Sequence, residues 1–187
     1  VLLPTMVLVR LRLRRLERVL EFLCTLPITV PAVVLVVGYA PVYQVVSRVL
    51  GSSPWTLAFA YGVLCLPFAY RALHASISSV DLVTVTEAAR SLGSSPIAVF
   101  FRVVLPVLRR GVIAASFISL AVVLGEFTVA SLLNRLNLQT SLVQVSQSDP
   151  YAAVIVSLLS LLLVFLLLLI LGRVESAAQR KKEGVRP

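Results

Sequence analysis

Apolar residues in this chain come in long blocks. Four stretches, roughly 22–46, 55–75, 110–133 and 151–172, carry few charges along their length. Each reaches the about 20 residues that a helix needs to cross the hydrocarbon core of a bilayer. The pattern predicts four complete spanning helices. Between them lie a short loop at 47–54 carrying Gly51-Ser52-Ser53-Pro54, a long polar loop at 76–109 and a moderately polar loop at 134–150, with a basic tail at 173–187. The expected fold is all-α: a polytopic helical bundle forming a single transmembrane domain over 1–187.

Inside the 76–109 loop the pattern shortens. Thr84 and Glu87 have the spacing of a capping box, which predicts a short helix starting there, and Gly93 is a natural left-handed stop. Ser95 followed by Pro96 reads as a second N-cap with proline in the first helical position. Ile97, Phe100, Phe101 and Val104 then recur at helical spacing, so an amphipathic helix is expected to follow. Two short helices joined by a glycine turn would make a compact protrusion, with small Ala88 and Ala89 allowing close approach of another surface. The same pair could also rest in the lipid interface.

Composition narrows the class. With 59% hydrophobic and only 13% charged residues, against about 25% charged in soluble domains, the chain is neither a soluble globular domain nor a disordered one. The net charge of +9 raises the question of nucleic acid. The distribution of charge answers it: with the 76–109 loop on the cytoplasmic side, only Arg48 and Arg135 of the 17 basic residues fall on the other side. That asymmetry is a membrane topology, with the C-terminus cytoplasmic and no nucleic-acid partner. The short apolar run Val1–Val9, leading straight into the arginines of 10–18, reads as the end of a truncated helix, so an incomplete N-terminus is expected.

Little in the sequence suggests chemistry of its own. Cys24 and Cys65 lie in apolar stretches and read as small packing residues. The single histidine, His74, sits near the end of the second predicted span, where a cation suits a helix C-terminus. There is no paired-carboxylate motif and no glycine-rich phosphate loop. Neither a metal nor a catalytic set is expected.

One run of residues goes further. Glu87-Ala88-Ala89, three residues, Gly93, nine residues, then Val103-Val104-Leu105-Pro106, resembles the EAA loop of permease subunits in binding-protein-dependent ABC importers. Val103 replaces the isoleucine of that pattern; every other fixed position matches. The likeness extends through Leu26-Pro27-Ile28-Thr29-Val30-Pro31 and Gly125-Glu126-Phe127, covering about residues 10–172. The resemblance implies a plasma-membrane permease with no enzymatic activity and no cofactor of its own, ATP and Mg being held by a partner. It implies a cytosolic ABC ATPase dimer, a second permease subunit, the same or homologous, and an external solute-binding protein as partners, besides membrane lipid. Glu87, Ala88, Ala89, Gly93, Leu105 and Pro106 would form the element coupled to the ATPase. The Gly125-Glu126-Phe127 stretch resembles permeases for polyamines, ferric iron, phosphonates, thiamine or oxyanions.

For a solute pathway the candidates are Glu126, expected inside the third span where an ionisable residue is costly, and Pro27 with Pro31, which should bend or break their helix. Small Gly111, Ala114, Ala115 and Ser116 predict close helix packing. The Leu-rich 158–171 run predicts a lipid-facing helix, and Arg180-Lys181-Lys182 a topology anchor at anionic lipid. The competing readings are a non-transporting membrane scaffold and a truncated, inactive permease.

Overall fold

The structure, a computed structural model, describes residues 1–51 and 53–183, with the side chains of 168, 171 and 174–183 outside the description. Among the described residues all regular structure is helical. The helices are α1 (Leu2–Arg12), α2 (Glu17–Thr29), α3 (Ala32–Leu50), α4 (Leu57–Ser78), α5 (Leu82–Ser91), α6 (Pro96–Val107), α7 (Arg109–Leu124), α8 (Thr128–Leu132), α9 (Leu138–Ser148) and α10 (Pro150–Glu183). Three segments, Ala32–Leu50, Pro54–Ser78 and Pro150–Leu167, are each long and apolar enough to cross a membrane. The α6–α7 pair makes a fourth if it is counted as one span bent by 72°.

Several boundaries differ from those the sequence predicts. The 22–46 stretch is two helices, because Pro31 has no N–H and forces Val30 into extended backbone (φ −100°, ψ 126°), ending α2 at Thr29. The 110–133 stretch stops at Leu124, and residues 125–127 are not helical. The loop at 134–150 is mostly the helix α9, opened by an Asn137–Thr140 capping box. The helix that carries the last span does not stop at 172: α10 runs on to Glu183, although the apolar window long enough to cross a membrane is Pro150–Leu167. The proposed lipid anchor Arg180-Lys181-Lys182 has its side chains, and 184–187 their whole placement, outside the described residues. Ser52 of the 47–54 loop lies outside them too.

The chain forms two compact units, one of Val1–Pro31 and Tyr61–Leu120, the other of Ala32–Ala60 and Ala121–Pro187. In the first, Met6, Cys24, Tyr70, Leu73, Ile77, Leu82, Val99, Val104 and Leu108 belong to one buried cluster that ties α1, α2, α4, α5 and α6 together. Close packing of α4 on α7 requires glycine: a Cβ on Gly111 would lie 2.3 Å from the Cβ of Ser76. Arg10 donates to both carboxylate oxygens of Glu17, at 3.0 and 3.1 Å, which pins α1 to α2 across the turn at Arg14–Leu16. Both cysteines are unpaired and buried, and Cys65 donates to the Ser119 carbonyl at 3.6 Å. In the second unit, α8 packs on α3 and α9 on α10. Between Tyr151 and Ile170 the described side chains of α10 are mostly exposed and apolar, as expected of a helix turned to lipid.

Candidate functional site: the capped loop helix and the break at Glu126

The loop helix starts earlier than the sequence predicts. Asp81, not Thr84, is the N-cap of α5: its carboxylate accepts from the Thr84 N–H at 3.3 Å and from the Thr84 hydroxyl at 2.7 Å. The predicted box between Thr84 and Glu87 does not form, because Asp81 lies three residues upstream and its charged oxygens accept more strongly than a neutral hydroxyl. These bonds from Thr84 hold the Asp81 carboxyl below its ordinary value of 3.8. The Asp-x-x-Thr spacing was the overlooked signal. Leu82 and Thr86 point into the core, while Glu87 and Ala88 stand exposed and Ala89 is half-buried. The helix thus buries one face and leaves the Glu87-Ala88 face open.

Its end is set by Gly93, at φ +83°, with the Gly93 N–H donating to the Arg90 carbonyl and the Ser94 N–H to the Ala89 carbonyl. That left-handed residue is the expected stop. The following cap forms as the sequence predicts: Ser95 accepts from the Ala98 N–H at 3.3 Å, with Pro96 beginning α6. Leu92, Ile97 and Phe101, 87%, 73% and 60% exposed, surround the turn with apolar surface. Further along α6, residues Phe100–Val104 form a π-turn in which the Leu105 N–H reaches the Phe100 carbonyl. Pro106, having no N–H to donate, sits directly after this widened turn. Leu105 is half-buried and Pro106 exposed; neither touches the Glu87-Ala88 face by any hydrogen bond. Between α1, α5 and α6 lies a cleft of about 530 Å³ bordered by Leu11, Arg12, Glu87, Arg90 and Phe100. His74, near the end of α4, stacks on Tyr70 at 5.5 Å.

In the other unit, Glu126 is not inside a helix, contrary to the sequence expectation. It lies in the break after α7, only 8% exposed, and its carboxylate accepts from the Val129 N–H at 2.7 Å and the Ala130 N–H at 3.2 Å. The helix stops because the Glu126 side chain captures these amides and starts α8 anew. The carbonyls freed at the break are met from α9: Asn137 Nδ2 donates to the Glu126 carbonyl, and Gln139 Nε2 to the Leu124 carbonyl at 2.8 Å. Asn137 and Gln139 were missed because composition alone made their segment a loop. Pro27 lies within α2 and Pro31 just past its end, both in the first unit, so they and Glu126 belong to different units. Among the described residues no three His, Cys, Asp or Glu side chains gather as a metal set would.

Comparison with known proteins agrees with this geometry. A family model described as "Binding-protein-dependent transport system inner membrane component" matches residues 2–180. The chain is 33% identical over 126 residues to the spermidine/putrescine transport system permease protein PotB of Haemophilus influenzae. That alignment covers 64% of this chain and 43% of the relative, so the chain spans less than half of the relative's length. No solved structure matches the chain significantly. An all-helical, apolar architecture, a capped and exposed Glu87-Ala88-Ala89 helix, and a match along nearly the whole chain agree: the protein belongs to the family of binding-protein-dependent transport system inner membrane components.

Proposed function

We propose that this permease component serves an ATP-driven importer, in which a solute delivered by an external binding protein passes inward through this chain and a second permease subunit, the same or homologous. ATP and its Mg would be bound and hydrolysed by a separate cytosolic ATPase dimer. The observation that carries the reading is α5, a helix capped at both ends by Asp81 and Gly93, core-bound on its Leu82-Thr86 face and open on its Glu87-Ala88 face. A rigid capped helix transmits displacement, which a loop of similar length would absorb. Glu87, Ala88, Ala89 and Gly93 would meet the ATPase, ringed by Leu92, Ile97 and Phe101, with Leu105 and Pro106 continuing the load path into the membrane. The charge asymmetry supports a cytoplasmic position for this loop and the C-terminus.

Glu126, Pro27 and Pro31 are assigned to the solute pathway. Glu126 and Pro31 each mark a place where helix gives way to irregular backbone in an apolar segment, and Pro27 removes an N–H within α2; backbone left unpaired in this way is tolerated only against protein or water. The PotB relative, named for spermidine and putrescine transport, favours a polyamine within the set of solute classes that the Gly125-Glu126-Phe127 stretch resembles.

The test is purification of the tagged chain from native membranes with identification of its partners, beside Gly93→Trp. Recovery of an ABC ATPase that the variant loses is the expected result. If the intact, inserted chain brings down no ATPase, the importer reading fails and a membrane scaffold becomes the better account.

A further inference from the structure

The two basic residues that break the charge asymmetry, Arg48 and Arg135, are far apart in sequence, yet the structure brings them to one cleft. This cleft, about 390 Å³, lies wholly within the unit formed by Ala32–Ala60 and Ala121–Pro187, where Tyr43, Gln44 and Ser47 of α3 join Arg48 and Arg135. Arg135 Nη2 donates to the Ser47 hydroxyl, and Nη1 reaches the Asn134 carbonyl at a long 3.5 Å. Its Nε is buried with no acceptor. Arg48 is exposed and forms no ion pair among the described residues. The described carboxylates of this unit are committed elsewhere: Glu126 to the amides of Val129 and Ala130, Asp149 to those of Tyr151 and Ala152.

A half-buried guanidinium with spare donors and no counterion is costly, and an anion supplied from outside the chain relieves that cost. Arginine forks match oxyanions in two-point geometry, and the neighbouring Gln44 amide and Ser47 hydroxyl add neutral donors. We propose that the Arg48–Arg135 cleft is a binding site for an oxyanion group of the phosphate type, carried by a free solute or by a lipid headgroup. Anion binding in this cleft does not depend on the importer reading.

The test uses the full chain in nanodiscs. In neutral phosphatidylcholine discs, inorganic phosphate is titrated and followed through the single tryptophan, Trp55, in the turn whose Thr56 carbonyl accepts from the Tyr43 hydroxyl at 2.6 Å. In parallel, discs containing phosphatidylglycerol are assayed by native mass spectrometry for retained lipid. Arg135→Gln and Arg48→Gln should each weaken the response about tenfold or more, and Arg135→Lys should recover part of it. A phosphate response lost in the variants identifies a free oxyanion. Lipid retention lost in the variants, with phosphate inert, identifies a headgroup. The proposal is overturned if folded wild type and variants bind phosphate and retain phosphatidylglycerol equally, or not at all. Circular dichroism separates that outcome from misfolding.

Discussion

Glu126 shows how a buried charge can be structural and still sit where function is expected. Both its oxygens accept backbone N–H groups that have no other acceptor at the start of α8. Glu126→Ala leaves two buried donors unmet, each costing about 1–3 kcal/mol, whereas Glu126→Gln keeps one acceptor. Thermal unfolding in nanodiscs should therefore place the alanine variant clearly below the glutamine one; equal losses would mean that the negative charge, not the capping bond, is what matters. Asp81 gives a case with a pH sign. Its folded pKa lies below the ordinary 3.8, so its contribution to α5 is fully present above about that value and fades as pH falls through the lowered one. At pH 7, Asp81→Ala should speed amide exchange over the first turn of α5, and Asp81→Asn, which can still cap, should not. Glu126 was legible as a residue but not in its role, and Asp81 was passed over in favour of Thr84. Nothing in local sequence told that Glu126 would stop its own helix, because that outcome depends on Asn137 and Gln139 arriving from a later segment to satisfy the carbonyls it frees.

Among the elements, glycine positions separate conformation from contact. At Gly93 a Cβ would meet nothing within 4 Å, so only the positive φ resists substitution. Gly93→Val should then cost about 1–2 kcal/mol of local stability and Gly93→Asn much less. If ATPase stimulation falls equally with both, the turn acts through contact, not backbone shape. At Gly111 the reverse holds, since Ser76 occupies the space. Gly111→Ala should destabilise by about 1–3 kcal/mol, and Ser76→Gly in the same chain should restore most of the loss in a melting experiment. The small-residue signal around 111 and the Ser95-Pro96 cap were readable because both depend on neighbours in sequence or on residue size. The helix break at Pro31 was half-readable: the proline was plain, but averaging apolar content over 22–46 hid that it divides one block into two helices.

For the whole molecule, the all-α membrane architecture followed from composition and block length alone, since few other structures can hide so much apolar surface. Sidedness is the part that calls for measurement. In a chain with Cys24→Ala and Cys65→Ala, single cysteines replacing Ser94 in the loop and Trp55 before α4 should react with an impermeant maleimide from opposite faces of sealed vesicles. Labelling of both from one face would overturn the arginine-based topology.

The 72° bend between α6 and α7 carries a mechanical consequence. Leu108 stands at the corner, 0% exposed and gripped by the buried cluster, with stiff helical arms on either side. Such a joint is a bell crank. A thrust along the axis of α6 reaches α7 mostly as a sideways force, so pushing on the loop tilts the α7 segment instead of driving it along its own length. The π-turn at Phe100–Val104 lies within the α6 arm, immediately ahead of that pivot, so the thrust passes through a stretch where the i→i−5 bond of Leu105 to Phe100 replaces the α-helical pattern.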